Sequence, residues 1–182
     1  MRWFRRDRPR RSRLHGVPFA APSADWPRLF AAEAARLTQA GVSGELQHIG
    51  STAVPGLAAK PIIDIQLVIP DDQWNPGPLL DAGYRHIRGS TRESRYYELY
   101  TGRITYLIRR RDPSDPNVRR CLLLRDYLLT HPDETAVYGE LKARLARRSR
   151  HGPSRYRAGK APWLVAANGR AEQWARETGW PG

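Results

Sequence analysis

The chain has 182 residues, of which 40% are hydrophobic and 27% are charged, and its formal net charge is +13. This composition is that of an ordinary soluble domain. It excludes a membrane-spanning protein, because no apolar run approaches the roughly 20 residues that cross a bilayer. The single cysteine, Cys121, excludes an intramolecular disulfide, so a cytoplasmic location is expected.

Hydrophobic periodicity and turn residues predict the secondary structure. In chain order, the predicted elements are a helix over about 26–40, strands over 45–49 and 61–69, a short helix near 79–82, strands over 95–100 and 103–108, and helices over 116–130, 132–148 and 160–178. Asp25 is the expected N-cap of the first helix, and Thr101-Gly102 is the expected two-residue hairpin turn. This order predicts an α+β fold, in which a small mixed β-sheet has flanking helices and a helical C-terminal part.

The first 13 residues form a basic arm outside these elements. They contain seven arginines and one aspartate. Repulsion between like charges, with little apolar surface to bury, predicts that the arm is disordered. The segment that follows is broken by prolines, which argues against a secretory signal. The arm could attract nucleic acid through its charge or be a solvated tail, and the sequence leaves both open. Residues 14–182 are predicted to form one domain.

One carboxylate interrupts the most apolar of the predicted strands. Asp64 lies within Ile62–Ile69, a nearly continuous β-branched run that is typical of a strand covered on both faces. Burying a lone carboxylate is costly unless it is paired, hydrogen bonded or bound to a metal. Asp64 is therefore the first candidate for a functional residue.

A short polar turn precedes this strand. Gly50-Ser51-Thr52 could bind phosphate through backbone N–H groups and hydroxyls, or it could be a tight turn capped by serine. Lys60 could pair with Asp64 or with a phosphate, or be solvated at the surface. His48, just before the turn, is more typical of a structural histidine than of a ligand.

Several arginines surround the predicted hairpin. They could line a phosphate-binding groove, or they could protect an edge strand with charge, and the sequence favours neither. The arginines concerned are Arg92, Arg95 and Arg103, with Arg109-Arg110-Arg111 continuing the second strand. No histidine and cysteine cluster with metal-ligand spacing and no glycine-rich P-loop is evident.

Four segments of the chain resemble the GrpB family. The signature is HIGSTAVPGLAAKPIIDIQLVI, and further matching segments are VPFAAPSADWPRLFAAEAARL, LLLRDYLLTHPDETAVYGELKARLA and SRYRAGKAPWL. The resemblance covers roughly residues 17–170. It implies a polymerase-β-like fold of the nucleotidyltransferase superfamily, in a family that also occurs fused to dephospho-coenzyme A kinase.

The resemblance assigns expected roles to individual residues. Gly50 and Ser51 match a turn that holds nucleotide phosphates, and Asp64 matches the first of two carboxylates that bind Mg²⁺. Gln66 stands where the second carboxylate would be and brings no charge. The strand Thr105–Arg109 lacks the histidines that are usual in the family. Glu98, on the preceding predicted strand, is the nearby candidate for a third carboxylate.

Three hypotheses follow. The first is Mg²⁺-dependent transfer of a nucleotidyl or phosphoryl group from a nucleoside triphosphate to a small acceptor. The second is a non-catalytic module that binds a nucleotide or coenzyme A-like ligand with a degenerate metal site. The third is association with nucleic acid through the basic arm. The candidate residues are Asp64 and Glu98 for catalysis, Gly50, Ser51, Thr52, Lys60, Arg92 and Arg95 for phosphate, Asp64 for metal, and His48, Gln66 and Arg103 as further pocket residues.

Overall fold

The computed structural model describes residues 18–89, 91, 93–101, 104–148 and 153–181. The predicted disordered arm over residues 1–13 lies outside these ranges. So do two of the predicted phosphate-binding arginines, Arg92 and Arg103, and Gly102 of the predicted hairpin turn.

Five strands form one mixed sheet. They are β1 (Glu45–Ile49), β2 (Ile62–Val68), β3 (Arg85–His86), β4 (Ser94–Tyr100) and β5 (Ile104–Arg110). The strand order is β1-β2-β5-β4-β3, in which β2 and β5 are parallel and the other neighbours are antiparallel. The predicted fold class, a small mixed sheet with helices, is confirmed.

The described residues also form five α-helices. They are α1 (Asp25–Gln39), α2 (Gly77–Asp81), α3 (Pro116–Thr130), α4 (Pro132–Arg148) and α5 (Pro153–Thr178). A 3₁₀ turn, Ser51–Ala53, follows β1. In the described ranges no helix combines the length and the apolar character that a bilayer crossing requires.

Strand β2 is covered on both faces, as its continuous apolar sequence predicts. Side chains alternate along a strand, so Ile63, Ile65 and Leu67 face one side, where they pack in a core with residues of α1 and α2. Asp64 and Gln66 face the other side, where the amide of Gln66 contacts α3. A second core joins the loop after β1 to helices α3, α4 and α5. Asp64 therefore lies between the sheet and the C-terminal helices.

The start of α1 differs from the prediction. Ala24, which already has helical dihedral angles, is the N-cap residue, and Asp25 is the first residue of the helix. The Asp25 N–H donates to the Ser23 hydroxyl at 3.2 Å, so the side-chain acceptor comes from two positions earlier. Asp25 instead forms an exposed ion pair with Arg28 at 2.8 Å.

Three further elements differ from the sequence-based assignment. Strand β3 was not predicted, because two residues carry no detectable alternation. The register pairs Tyr100 with Ile104, which leaves three residues between β4 and β5 instead of two. Helix α5 begins at Pro153 and not near residue 160. Gly159 lies in the polar first turns of α5, and an added Cβ there would collide with Leu145 of α4. The first turns of α5 therefore pack closely against α4.

Candidate functional site

The turn after β1 lies directly against Asp64. Gly50 has φ +74° and ψ −167°, a conformation that only glycine adopts readily. A Cβ at Gly50 would lie 2.5 Å from Asp64 Oδ2. The glycine therefore allows the carboxylate to approach the turn closely, and the expected proximity of Gly50-Ser51 to Asp64 is what the structure has.

Two lysines from the C-terminal helices act on Asp64. Burial raises the pKa of Asp64 to about 7, and the positive charges of Lys160 and Lys142 oppose this rise. Lys142 is 1% exposed, and among the described residues its Nζ atom has no hydrogen-bond partner. Burial lowers the pKa of Lys142 to about 7; the neighbouring charge of Lys160 lowers it further, while Asp64 opposes the shift. Near neutral pH, Asp64 and Lys142 are thus each close to their protonation midpoint.

Lys60, the third lysine of the chain, lies close enough to Lys160 for its charge to act on it. Burial lowers the pKa of Lys160, Asp64 opposes the shift, and the charges of Arg157 and Lys60 add to it. Lys60 and Lys160 lie 5.9 Å and 4.7 Å from the ring centre of Tyr156, over which both amines are placed. We call Lys60, Lys142 and Lys160 the lysine cluster.

The polar residues on either side of the turn hold it in place. The Thr52 hydroxyl donates to the Ile62 carbonyl at 2.8 Å, so it is available only as an acceptor for the His48 Nε2 atom at 3.1 Å. The proton of neutral His48 is therefore on Nε2. The His48 ring stacks on Phe30 at 4.7 Å, and burial, reinforced by the charge of Arg125, lowers its pKa to about 4. His48 and Thr52 thus bind the turn to β2.

A cavity opens on the helix side of Asp64. Its volume is about 280 Å³. Its wall is mostly apolar, and the polar side chains in it include Ser51, Asp64, Arg125 and Tyr138. The lining residues are Ile49, Gly50, Ser51, Val54, Leu57, Asp64, Ile108, Cys121, Leu124, Arg125, Leu128 and Tyr138.

The other acidic candidate does not lie beside Asp64. The register places Asp64, Tyr106 and Glu98 in one row on the same face of the sheet. Two strand spacings of about 4.8 Å separate the backbones of Asp64 and Glu98, and the side chain of Tyr106 stands between them. Glu98 is buried, and a guanidinium nitrogen of Arg85 lies 4.0 Å from its carboxylate.

The residues around Asp64 do not fit a resident Mg²⁺ ion. Magnesium favours carboxylate oxygens in near-octahedral geometry, whereas Asp64 is the one carboxylate among the residues that line the cavity beside the turn, and the charges of two lysines act on it. Gln66 is fully buried and its amide donates to the Val118 carbonyl at 3.4 Å. Across the described ranges, no three His, Cys, Asp or Glu side chains are grouped as a metal site requires.

The structure does not bring Arg95 to this site. Arg95 precedes Tyr97 by two residues, so the two side chains share a face of β4, and Tyr97 is in the core on the side opposite Asp64. The charge of Arg95 instead contributes to lowering the pKa of Asp71. The position of Arg95 beside the predicted hairpin groups it with the other arginines, but it does not determine which face of the sheet its side chain occupies.

Lys142 is the main residue of the candidate site that the sequence interpretation missed. The chain has 31 basic residues, and only three are lysines. Lys142 of α4 and Lys160 of α5 act on Asp64, and Lys60, from the loop before β2, lies with Lys160 over the Tyr156 ring. The rarity of lysine was visible in the sequence and could have pointed to this site.

The comparisons with known proteins agree with the fold. The family described as GrpB protein matches residues 17–170. A UPF0157 protein of Pseudomonas aeruginosa is 38% identical over 157 residues, covering 80% of this chain and 64% of that protein. A dephospho-CoA kinase of Mycobacterium leprae is 33% identical over 169 residues, covering 74% of this chain and 41% of the kinase. The chain therefore spans less than two thirds of the length of either relative.

A solved structure has the same architecture. The crystal structure of a conserved GrpB protein from Enterococcus faecalis aligns with a TM-score of 0.75 at 25% identity, covering 86% of this chain and 99% of that chain. The family match includes the turn, strand β2 and the parts of α4 and α5 that carry Lys142 and Lys160. The chain belongs to the GrpB family.

Proposed function

We propose that this protein binds a nucleotide or coenzyme A-like phosphorylated ligand at the lysine cluster, without a resident metal ion. The observation that supports the proposal is the placement of Lys142 and Lys160 against the single carboxylate Asp64, with Lys60 beside Lys160, next to the turn Gly50–Thr52. Lys142 and Lys160 alone exceed Asp64 by one positive charge when all three groups are ionised. An anionic ligand balances that excess.

The buried amine of Lys142 strengthens the argument. A buried polar group without a hydrogen-bond partner costs about 1–3 kcal/mol, and more when it is charged. The described residues supply no acceptor for Nζ of Lys142. A phosphate oxygen is a strong acceptor for an ammonium group and favours its charged form. Ligand binding would therefore remove an unfavourable feature of the unliganded site.

The relatives suggest which ligands to test. The Mycobacterium leprae relative is named a dephospho-CoA kinase, and this chain matches 41% of it. Dephospho-coenzyme A and a nucleoside triphosphate are therefore the first ligands to examine. Nucleotidyl or phosphoryl transfer, the first hypothesis from the sequence, requires further acidic ligands that the neighbours of Asp64 do not supply.

The test is ligand binding by thermal shift and calorimetry, with ATP and dephospho-coenzyme A, each with and without Mg²⁺. Lys142→Met removes the buried charge at similar volume, and the loss of a charge-assisted hydrogen bond of about 1.5–3 kcal/mol corresponds to roughly ten- to a hundredfold weaker binding. Arg28→Met, which removes an exposed charge on α1, is the matched control and leaves binding unchanged.

Asp64→Asn separates binding without metal from binding through metal. If the lysine cluster alone holds the phosphates, removing the negative charge of Asp64 keeps or strengthens binding in the absence of Mg²⁺. If Asp64 holds a metal ion, the same change weakens binding that depends on Mg²⁺. Binding that requires Mg²⁺, is lost in Asp64→Asn and is unaffected in Lys142→Met contradicts the proposal.

A further inference from the structure

The cavity beside Asp64 is chemically different from the lysine cluster. Most of its wall is aliphatic, with Val54, Leu57, Leu124 and Leu128 among the lining residues. A phosphate group gains no hydrogen bonds from such a wall. The cavity therefore suits a second ligand, or a second part of a ligand, that is mainly apolar.

Two polar points interrupt the apolar wall at separate places. Ser51 and Asp64 meet at the turn after β1, and the Tyr138 hydroxyl is hydrogen bonded to Ser51 at the same point. The Ser51 hydroxyl keeps further hydrogen-bonding capacity, so it and the carboxylate can exchange hydrogen bonds with a ligand hydroxyl. Arg125 contributes the other point from helix α3. A few polar groups in an apolar pocket are the usual means by which a small molecule is oriented.

Arg125 is held firmly but retains hydrogen-bonding capacity. Its Nε atom donates to Asp126 Oδ1 at 2.6 Å, and its Nη1 atom donates to the His48 carbonyl at 3.0 Å and to Gln47 Oε1 at 3.2 Å. Within the described part of the chain no acceptor is assigned to Nη2. A guanidinium has five N–H donors, so Arg125 can still bind a ligand carboxylate while its position stays fixed.

The cavity volume limits the size of the occupant. At ~30 Å³ per water molecule in the liquid, a volume of about 280 Å³ equals that of about nine waters. An apolar cavity of about 150 Å³ is enough to hold benzene. The space is therefore large enough to hold one substituted ring or a short aliphatic chain.

We propose that this cavity binds a small hydroxy acid with an apolar body, whose hydroxyl meets Asp64 and Ser51 and whose carboxylate meets Arg125. Asp64 then lies between this molecule and the lysine cluster. The inference goes beyond the proposed function and does not depend on it, since the cavity and Arg125 are separate from the three lysines.

The test uses two probes, 4-hydroxyphenylacetate and 6-hydroxyhexanoate, with binding measured by calorimetry and ligand-observed NMR. At least one of them binds with a millimolar or lower dissociation constant. For the ring probe, matched compounds remove one group at a time: phenylacetate lacks the hydroxyl, 4-methylphenol lacks the carboxylate, and tyramine replaces the carboxylate with an amine. The carboxylate-free compounds bind at least tenfold more weakly.

A cavity-filling variant locates the binding. Leu124→Trp, at the cavity wall, abolishes probe binding, and Leu129→Trp, on the same helix at a residue that is 48% exposed, does not. A circular dichroism spectrum and a thermal unfolding transition like those of wild type show that Leu124→Trp is folded, and ATP binding reports on the lysine cluster separately. The inference is overturned if neither probe binds, if 4-methylphenol binds as well as 4-hydroxyphenylacetate, or if folded Leu124→Trp binds the probes normally. If the wild-type protein binds the probes but does not bind ATP, only the proposed function is overturned.

Discussion

Substitution of Gly50 by alanine tests the contact between the turn and Asp64. The substitution has two physical consequences. The backbone at φ +74°, ψ −167° is in a region that essentially only glycine occupies, and forcing another residue into it costs roughly 1–3 kcal/mol. The new Cβ would also lie 2.5 Å from Asp64 Oδ2 and 3.1 Å from its Cβ, so the turn or the carboxylate has to move.

The size of the second effect can be estimated from overpacking in protein cores, which typically costs about 1–3 kcal/mol. The two effects together predict that Gly50→Ala lowers the free energy of unfolding by ~2–6 kcal/mol. Gly56 provides a matched control, because it also has a positive φ, +77°, but a Cβ there would meet no atom within 4 Å. Gly56→Ala therefore carries backbone strain alone, roughly 1–2 kcal/mol.

Urea unfolding followed by circular dichroism measures both variants, and the comparison isolates the steric contact with Asp64. Combining Gly50→Ala with Asp64→Ala completes a double-mutant cycle. Since the two residues touch, the cycle gives a coupling free energy above the roughly 0.5 kcal/mol expected for independent sites. Equal losses of stability in Gly50→Ala and Gly56→Ala, together with additive effects in the cycle, would refute the close approach of Asp64 to the turn.

Two other predictions concern the polar groups. Burial shifts the pKa values of Lys142 and Asp64 to about 7. Above pH 7, Lys142 is therefore mostly neutral and Asp64 mostly charged, and below pH 7 the reverse holds. ATP affinity is expected to fall from pH 6 to pH 8, by at most about tenfold per pH unit for each proton taken up. Calorimetry checks this, and a slope that Lys142→Met leaves unchanged contradicts it. Trp180→Phe removes the indole N–H that donates to Asp126 Oδ2 at 3.0 Å, beside the Arg125 pair, and it lowers the free energy of unfolding by about 1 kcal/mol in urea titrations. Wild-type stability in that variant shows that the bond contributes nothing.

The elements with strong local signals were predictable from the sequence. Strand β1 and helices α3 and α4 have the predicted bounds, and β2 is one residue shorter at each end. Their boundaries coincide with turn residues or prolines, which act through the local backbone alone. The Pro132 that begins α4, for example, breaks the pattern of α3 without any help from tertiary contacts.

Features that depend on tertiary contacts were not predictable. Strand β3 has only two residues and forms by pairing with β4. The early start of α5 accompanies the packing of Gly159 against Leu145, two residues that are distant in the sequence. For the site, proximity of Gly50 to Asp64 followed from a short connection between two strands, whereas the approach of Lys142 required knowledge of how α4 packs on the sheet.

The identity of the basic residues at the site has a physical explanation. Of the 31 basic residues, 28 are arginines, yet the two positive charges that oppose the rise in the pKa of Asp64 both belong to lysines, Lys142 and Lys160. A guanidinium stays charged at any accessible pH, so burying one without a carboxylate partner is very costly. A lysine in the same place can release its proton until an anion arrives, which is consistent with the lowered pKa of Lys142. If the site binds an anion as proposed, arginine cannot replace Lys142 there, because the unliganded form would bury an unpaired charge.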